Sequence, residues 1–146
     1  MPPSEVQPAE RMALRWSTAR PLIAAMLTGG LLTLSFPTLG HPAAAWVALV
    51  PLLVVLPQLR SVRLAFGVGL TVGIGQFGGT LPWLIDVMVE FGGLPRPLGM
   101  VLNALLVAYL ALFPALFVVL LVLFYRRFGQ LAMLWAAPVW VSTELA

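Results

Sequence analysis

Few residues in this chain could do chemistry. There is no cysteine and no lysine; the eight basic residues are all arginine. Thiolate nucleophiles, cysteine-ligated metals, Schiff bases and lysine general bases are therefore excluded from these residues. The single histidine, His41, sits between Gly40 and Pro42 and cannot build a multi-histidine metal site. Asp86 and Glu90 stand four apart, so on a helix they would share one face. Paired carboxylates can do acid–base work, but no third group is evident to tune them, and a solvated pair is the simpler reading. Glu144 is embedded in an apolar segment, and an intramembrane carboxylate marks either a functional site or a structural partner. Asn103, also in an apolar run, is most simply a helix–helix hydrogen-bonding residue. No residue is assigned a catalytic role, and neither a metal nor a soluble cofactor is expected.

One further pattern, Gly73-Ile74-Gly75-Gln76-Phe77-Gly78, matches the dinucleotide fingerprint G-x-G-x-x-G. That fingerprint needs a strand before it and a helix opening on it. Here it lies inside a long apolar segment. Gly69 and Gly73, and Gly75 and Gly79, are each four apart, which is the spacing of close helix–helix packing. Packing is the expectation.

The elements that must position these residues follow from composition. Of the 146 residues, 61% are hydrophobic and 9% charged, against roughly 25% charged in a soluble domain. So few charges cannot clothe a water-facing surface. The expected fold class is all-α integral membrane, a bundle of about five transmembrane helices at about 20 apolar residues per span. The spans are expected at about 21–36, 43–57, 62–85, 98–124 and 130–146, after a polar surface tail over 1–20. Pro21 suits a first helical turn, the first two spans form a short hairpin that need not cross fully, and residues 86–97 form a loop. Pro114 should kink the fourth span. Trp46, Trp83, Trp135 and Trp140 read as interfacial or packing aromatics.

Arginine distribution sets the orientation, because cytoplasmic loops carry the excess of Lys and Arg. A cytoplasmic N-terminus puts Arg11, Arg15, Arg20, Arg60, Arg63, Arg126 and Arg127 inside and only Arg96 outside. The net charge of +3 does not indicate nucleic acid, since the arginines form no patch or stripe. A cleaved signal peptide is disfavoured: the first apolar run ends at Phe36-Pro37, and a further span begins at the would-be cleavage site, Ala43-Ala44-Ala45.

Several stretches carry a family resemblance. They are Leu34-Ser35-Phe36-Pro37, Trp46 to Leu52, Ala65-Phe66-Gly67 with the glycine-rich helix up to Trp83, Phe91-Gly92-Gly93-Leu94-Pro95, Leu105 to Pro114 with Ala108-Tyr109-Leu110, Ala137 to Val141, and Thr143-Glu144-Leu145. In order and spacing they resemble the N-terminal membrane domain of the apolipoprotein N-acyltransferases. The resemblance implies a multi-pass protein of the bacterial inner membrane. In that family a fatty acyl chain passes from a phospholipid to the N-terminal amino group of a lipid-modified cysteine on a lipoprotein. The family's Glu, Lys and Cys belong to a nitrilase-like domain, which these residues do not include. The implied role is to anchor the enzyme and to form part of the surface where phospholipid and lipoprotein dock. Trp83, Phe91, Gly92, Gly93 and Glu144 are the outer-face candidates. The chain is then expected to be a fragment, a truncated gene product or one half of a split enzyme, the last partnered by a separate catalytic domain. A different class of function is a non-catalytic scaffold for a partner such as a polyprenol-phosphate mannose synthase. A transporter subunit is a weaker fit, since coupling usually uses several intramembrane ionisable groups.

Overall fold

The computed structural model describes the backbone of residues 8–36 and 43–144 and the side chains of 19–36 and 43–143. The turn around His41 lies outside the described residues. All regular elements among the described residues are helical: α1 (Pro8–Leu34), α2 (Ala43–Val47), α3 (Val50–Val55), α4 (Val62–Thr80), α5 (Trp83–Glu90), α6 (Arg96–Leu110), α7 (Leu112–Phe128) and α8 (Ala136–Glu144). Two 3-10 segments, Leu56–Gln58 and Gly129–Trp135, follow α3 and α7.

Prolines set most of the breaks. A proline lacks the N–H that would bond the carbonyl four residues back, and its ring crowds that carbonyl. Pro51 looks back to Val47, where α2 ends; Pro114 looks back to Leu110, where α6 ends. Pro82 follows the last turn of α4, and α5 leaves at 51° to it. Three expectations are corrected by these breaks. The 43–57 segment is not one helix but α2, α3 and a 3-10 turn. The 62–85 segment stops at Thr80, and Asp86 to Glu90 lie on a helix rather than in a loop. Near Pro114, where a kink is expected, the helix is interrupted at Ala111.

A further correction concerns α1. It starts at Pro8, so Pro21 is buried inside a continuous helix instead of opening one. Ala, Glu, Arg, Met and Leu dominate the segment before it, and these are strong helix formers.

Helix α4 is the centre of the structure, with α1 on one side and α7 on the other. Glycines bring the backbones together. A Cβ added at Gly69 would lie 2.6 Å from Ala115 Cα, and one at Gly73 would lie 2.6 Å from Ala111 Cα. Toward α1, a Cβ on Gly29 would lie 2.8 Å from the Val72 carbonyl oxygen, and one on Gly75 3.3 Å from Gly29 Cα. Gly79 lies directly against Thr33. Thr33 Oγ1 sits 3.0 Å from both the Gly29 and Gly75 carbonyl oxygens and 3.2 Å from that of Gln76. Its single proton serves one of them at a time. The glycine pattern is thus a packing device in mid-helix, and the dinucleotide context is absent from it.

The same contacts fix direction. Gly29 meets Val72 and Gly75 while Thr33 meets Gly79, so α1 and α4 run parallel. Gly69 meets Ala115 while Gly73 meets Ala111, so α4 and α7 run antiparallel. Ala25, Leu52, Leu56, Ala65, Val68, Val72, Phe117, Val118, Leu121 and Val122 fill the space between.

Among the described residues, by length and composition, one apolar run, Arg96–Thr143, is long enough to cross a membrane; α4 with α5 makes a second if the bent pair is one span. The Arg96–Thr143 run is not one rod. Phe117 and Trp140 meet edge to face with ring centroids 4.9 Å apart, whereas 23 residues of straight helix would separate them by roughly 35 Å. The reversal occurs after Phe128, at Gly129, whose φ of 60° suits glycine. The fifth predicted segment therefore opens as a 3-10 turn and becomes α-helical only at Ala136.

Gly69→Ala should lower stability by roughly 1–3 kcal/mol, because the added methyl meets backbone atoms that cannot move alone. Gly67→Ala, with nothing within 4 Å of its Cβ position, should raise it by roughly 0.5–1 kcal/mol. Reversible unfolding in mixed detergent micelles measures both, and equal effects of the two variants would refute the backbone contact between α4 and α7.

Candidate functional site

The two ends of the bundle differ in charge. Arg60, Arg63, Arg126 and Arg127 are exposed at the end where α4 begins and α7 finishes. Arg20 is exposed at the level of the start of α4 by the parallel register of α1. At the opposite end lie Asp86, Glu90 and Arg96.

That opposite end contains four of the five outer-face candidates. Trp83 opens α5 just beyond Pro82 and is half exposed; Phe91 caps its far end and is 84% exposed. No α5 residue is buried, and the helix packs chiefly on α6. Gly92 and Gly93 have structural work in the turn that joins them. A Cβ on Gly92 would lie 2.6 Å from the Met88 carbonyl oxygen, and Gly93 has φ 63°. The Leu94 N–H donates to that same Met88 carbonyl at 3.2 Å, closing the helix end through a left-handed glycine. Pro95 then caps α6 with extended backbone, and Pro97 occupies its first turn. The glycines let the chain reverse tightly enough to hold Phe91 outward at the tip.

Asp86 and Glu90 do share α5, and both are exposed. Asp86 pairs with Arg96 at 3.4 Å, with side chains 59% and 65% exposed. A pair this open stabilises by about 0–1 kcal/mol and staples the start of α6 to α5. Among the described residues no group of three His, Cys, Asp or Glu gathers as a metal site.

Glu144 is the last residue of α8. The contact of Trp140 with Phe117 places the backbone of Glu144, one turn further on, level with Phe113 and thus near the middle of α4. The end of α4 that leads to Trp83 lies roughly 15 Å beyond that level at 1.5 Å per residue. Trp83, Phe91, Gly92 and Gly93 are brought together at one corner; Glu144 stands apart from them along the bundle axis. Of the other tryptophans, Trp140 packs inside, while Trp46 and Trp135 are exposed.

Asn103 is the buried polar residue of α6. It is 9% exposed, and its Oδ1 has no partner. Thr28 Oγ1 and Gln76 Oε1 are also buried without partners. Thr33, Gln76 and Thr80 form the polar contact that sequence reading missed: Thr80 Oγ1 donates to the Gln76 carbonyl at 2.9 Å, and Thr33 reaches the same oxygen from α1. The available signal was a threonine four residues after Gly29.

What the fold and this corner define is an all-helical protein with the apolar character of a membrane domain. Comparison with known proteins specifies it. Residues 28–146 match the model of the apolipoprotein N-acyltransferase N-terminal domain. The chain is 37% identical over 126 residues to the apolipoprotein N-acyltransferase of Vibrio vulnificus, covering 84% of this chain and 24% of that protein. It is 38% identical over 96 residues to that of Geobacter metallireducens, covering 66% of this chain and 18% of that protein. With that of Methylococcus capsulatus it shares 41% over 91 residues, 62% of this chain and 18% of the relative. The chain belongs to the apolipoprotein N-acyltransferase family and corresponds to its N-terminal domain. It spans about a fifth to a quarter of the length of the curated relatives it matches. No solved structure matches it.

Gly93→Asn should be tolerated far better than Gly93→Val, because Asn enters the left-handed region and a β-branched residue does not. Thermal unfolding in detergent should show Val costing about 1–2 kcal/mol more than Asn; equal melting of the two variants would remove the turn geometry as the reason for glycine.

Proposed function

We propose that this chain is the N-terminal membrane portion of a lipoprotein N-acyltransferase, which moves a fatty acyl chain from phospholipid to the N-terminal amino group of diacylglyceryl-modified apolipoproteins. The family match over residues 28–146 is the observation that carries this reading. The chain anchors the enzyme in the bacterial inner membrane and contributes to the surface through which lipid reaches the chemistry. Acyl transfer through a thioester needs a thiolate, and these residues contain no cysteine. The nucleophile therefore comes from outside them.

The topology proposed is five crossings with a cytoplasmic N-terminus. It is supported by the parallel course of α1 and α4, the antiparallel course of α4 and α7, and the reversal at Gly129. The segregation of Arg20, Arg60, Arg63, Arg126 and Arg127 from Asp86 and Glu90 supports the same orientation. In that orientation Trp83 and Phe91 face the outer interface, where aromatic side chains sit well between headgroups and acyl chains. Gly92 and Gly93 hold Phe91 at the tip. Glu144, deeper in the bundle, is assigned to the wall of the lipid path rather than to its mouth.

The test is a chimera in which this chain replaces the matching N-terminal segment of the Vibrio vulnificus enzyme, in a bacterium depleted of its own acyltransferase. Mass spectrometry of a lipoprotein N-terminus should show the third acyl chain, and Phe91→Asp in the chimera should reduce its formation about tenfold. A chimera that accumulates in the membrane yet leaves the amino group free would refute the role proposed for this domain. Topology is read separately: a periplasmic reporter should be active when fused after Gly93 and inactive after Arg127.

A further inference from the structure

At the arginine end a groove of about 400 Å³ opens between α4 and α7, lined by Val62, Arg63, Phe66, Leu116 and Val119. Four of these side chains are apolar, and Val62, Phe66 and Leu116 are exposed to the surroundings of the bundle. From Val62 to Phe66 is one helical turn, about 6 Å along the axis. That length suits the part of an acyl chain nearest a headgroup. Arg63 is the only charged residue in the lining and lies at the end of the groove nearest the start of α4.

Among the described residues no carboxylate lies beside the arginines at this end. Arg126 Nη2 donates to the Arg60 carbonyl oxygen at 2.7 Å, which ties the end of α7 to the segment before α4 and holds a second guanidinium there. Among the described residues the single ion pair is Arg96 with Asp86, at the far end. The described carboxylates Asp86 and Glu90 both belong to that far end. A phospholipid would bring a phosphate to this level and an apolar chain directly below it. Guanidinium groups bind phosphate through paired hydrogen bonds, and arginine stems run along apolar surface while the head stays in the headgroup layer.

We infer that this groove binds one anionic phospholipid, its phosphate held by Arg63 with Arg60 and Arg126 nearby, and the start of an acyl chain seated on Phe66, Leu116 and Val119. The site is distinct from the aromatic corner at Trp83 and Phe91, at the opposite end of α4. It gives the bundle a lipid anchor on its cytoplasmic side, separate from lipid consumed as acyl donor. It rests on the reading that the chain lies in lipid, which the reporter fusions above test independently.

Native mass spectrometry of the full chain, released from detergent with equal amounts of phosphatidylglycerol and phosphatidylcholine of matched acyl chains, decides the matter. Wild type should retain one phosphatidylglycerol in preference to phosphatidylcholine. Arg63→Gln should weaken that retention about fivefold and leave phosphatidylcholine unchanged. Leu116→Trp, which fills the groove while keeping Arg63, should lose the same lipid and serves alone if Arg63→Gln does not fold. Arg96→Gln, at the far end, should behave as wild type. Equal retention of the two lipids by wild type, or undiminished phosphatidylglycerol on a folded Arg63→Gln or Leu116→Trp chain, would overturn the site. So would displacement of the bound lipid by soluble glycerol phosphate, which would show headgroup binding without the groove.

Discussion

Helix α4 touches its neighbours backbone to backbone, and the rest of the structure is arranged around that contact. In lipid, apolar side chains gain little by leaving solvent for one another, so helix association depends on close packing and interhelical hydrogen bonds. Gly69 and Gly73 open one strip of α4 to Ala111 and Ala115 of α7; Gly75 and Gly79 open another to Gly29 and Thr33 of α1. A methyl group on either strip would push a whole helix outward. Thr33 adds direction to the second contact, since its hydroxyl can reach α4 carbonyls only when α1 lies this close. With α1 and α7 fixed, the course of the chain between and beyond them is largely determined.

Much of this was legible from residue spacing. The paired glycines announced close packing because Cβ atoms at i and i+4 face the same neighbour. The break before Pro114 follows from the missing N–H, and the same rule applied to Pro51 and Pro82 would have divided the second and third segments correctly. Hydropathy overrode the rule there: Leu, Val and Ile continue across both prolines, and an apolar average does not register a bend. Pro21 is the opposite case. Its surroundings are strong helix formers, and the tertiary position buries its ring inside an unbroken helix. Asn103 shows that a polar atom in an apolar run, its Oδ1, need not find a partner, since burial and register are decided by the larger contacts around it.

The candidate site was legible in part. Trp83, Phe91, Gly92 and Gly93 are neighbours in sequence and remain so in space because a short helix and a glycine turn join them. Glu144 is different. Its level depends on where the chain reverses and on how far the 3-10 segment Gly129–Trp135 carries it. A 3-10 helix rises about 2 Å per residue and repeats every three, so both the height and the facing of α8 differ from those of one uninterrupted α-helix. Arginine counting, by contrast, matched the charge asymmetry of the two ends.

The bend at Pro82 also has a dynamic consequence. Helix α5 is hinged at Pro82 on one side and at the Gly92-Gly93 turn on the other, buries none of its residues, and leans chiefly on α6. Elements with so little burial open at free energies far below that of the whole protein. The backbone amides of α5 would therefore exchange with solvent deuterium long before those of α4, although the two helices are nearly contiguous in sequence. The aromatic corner rides on the part of the molecule that can tilt or unravel and re-form while the glycine-packed centre stays closed.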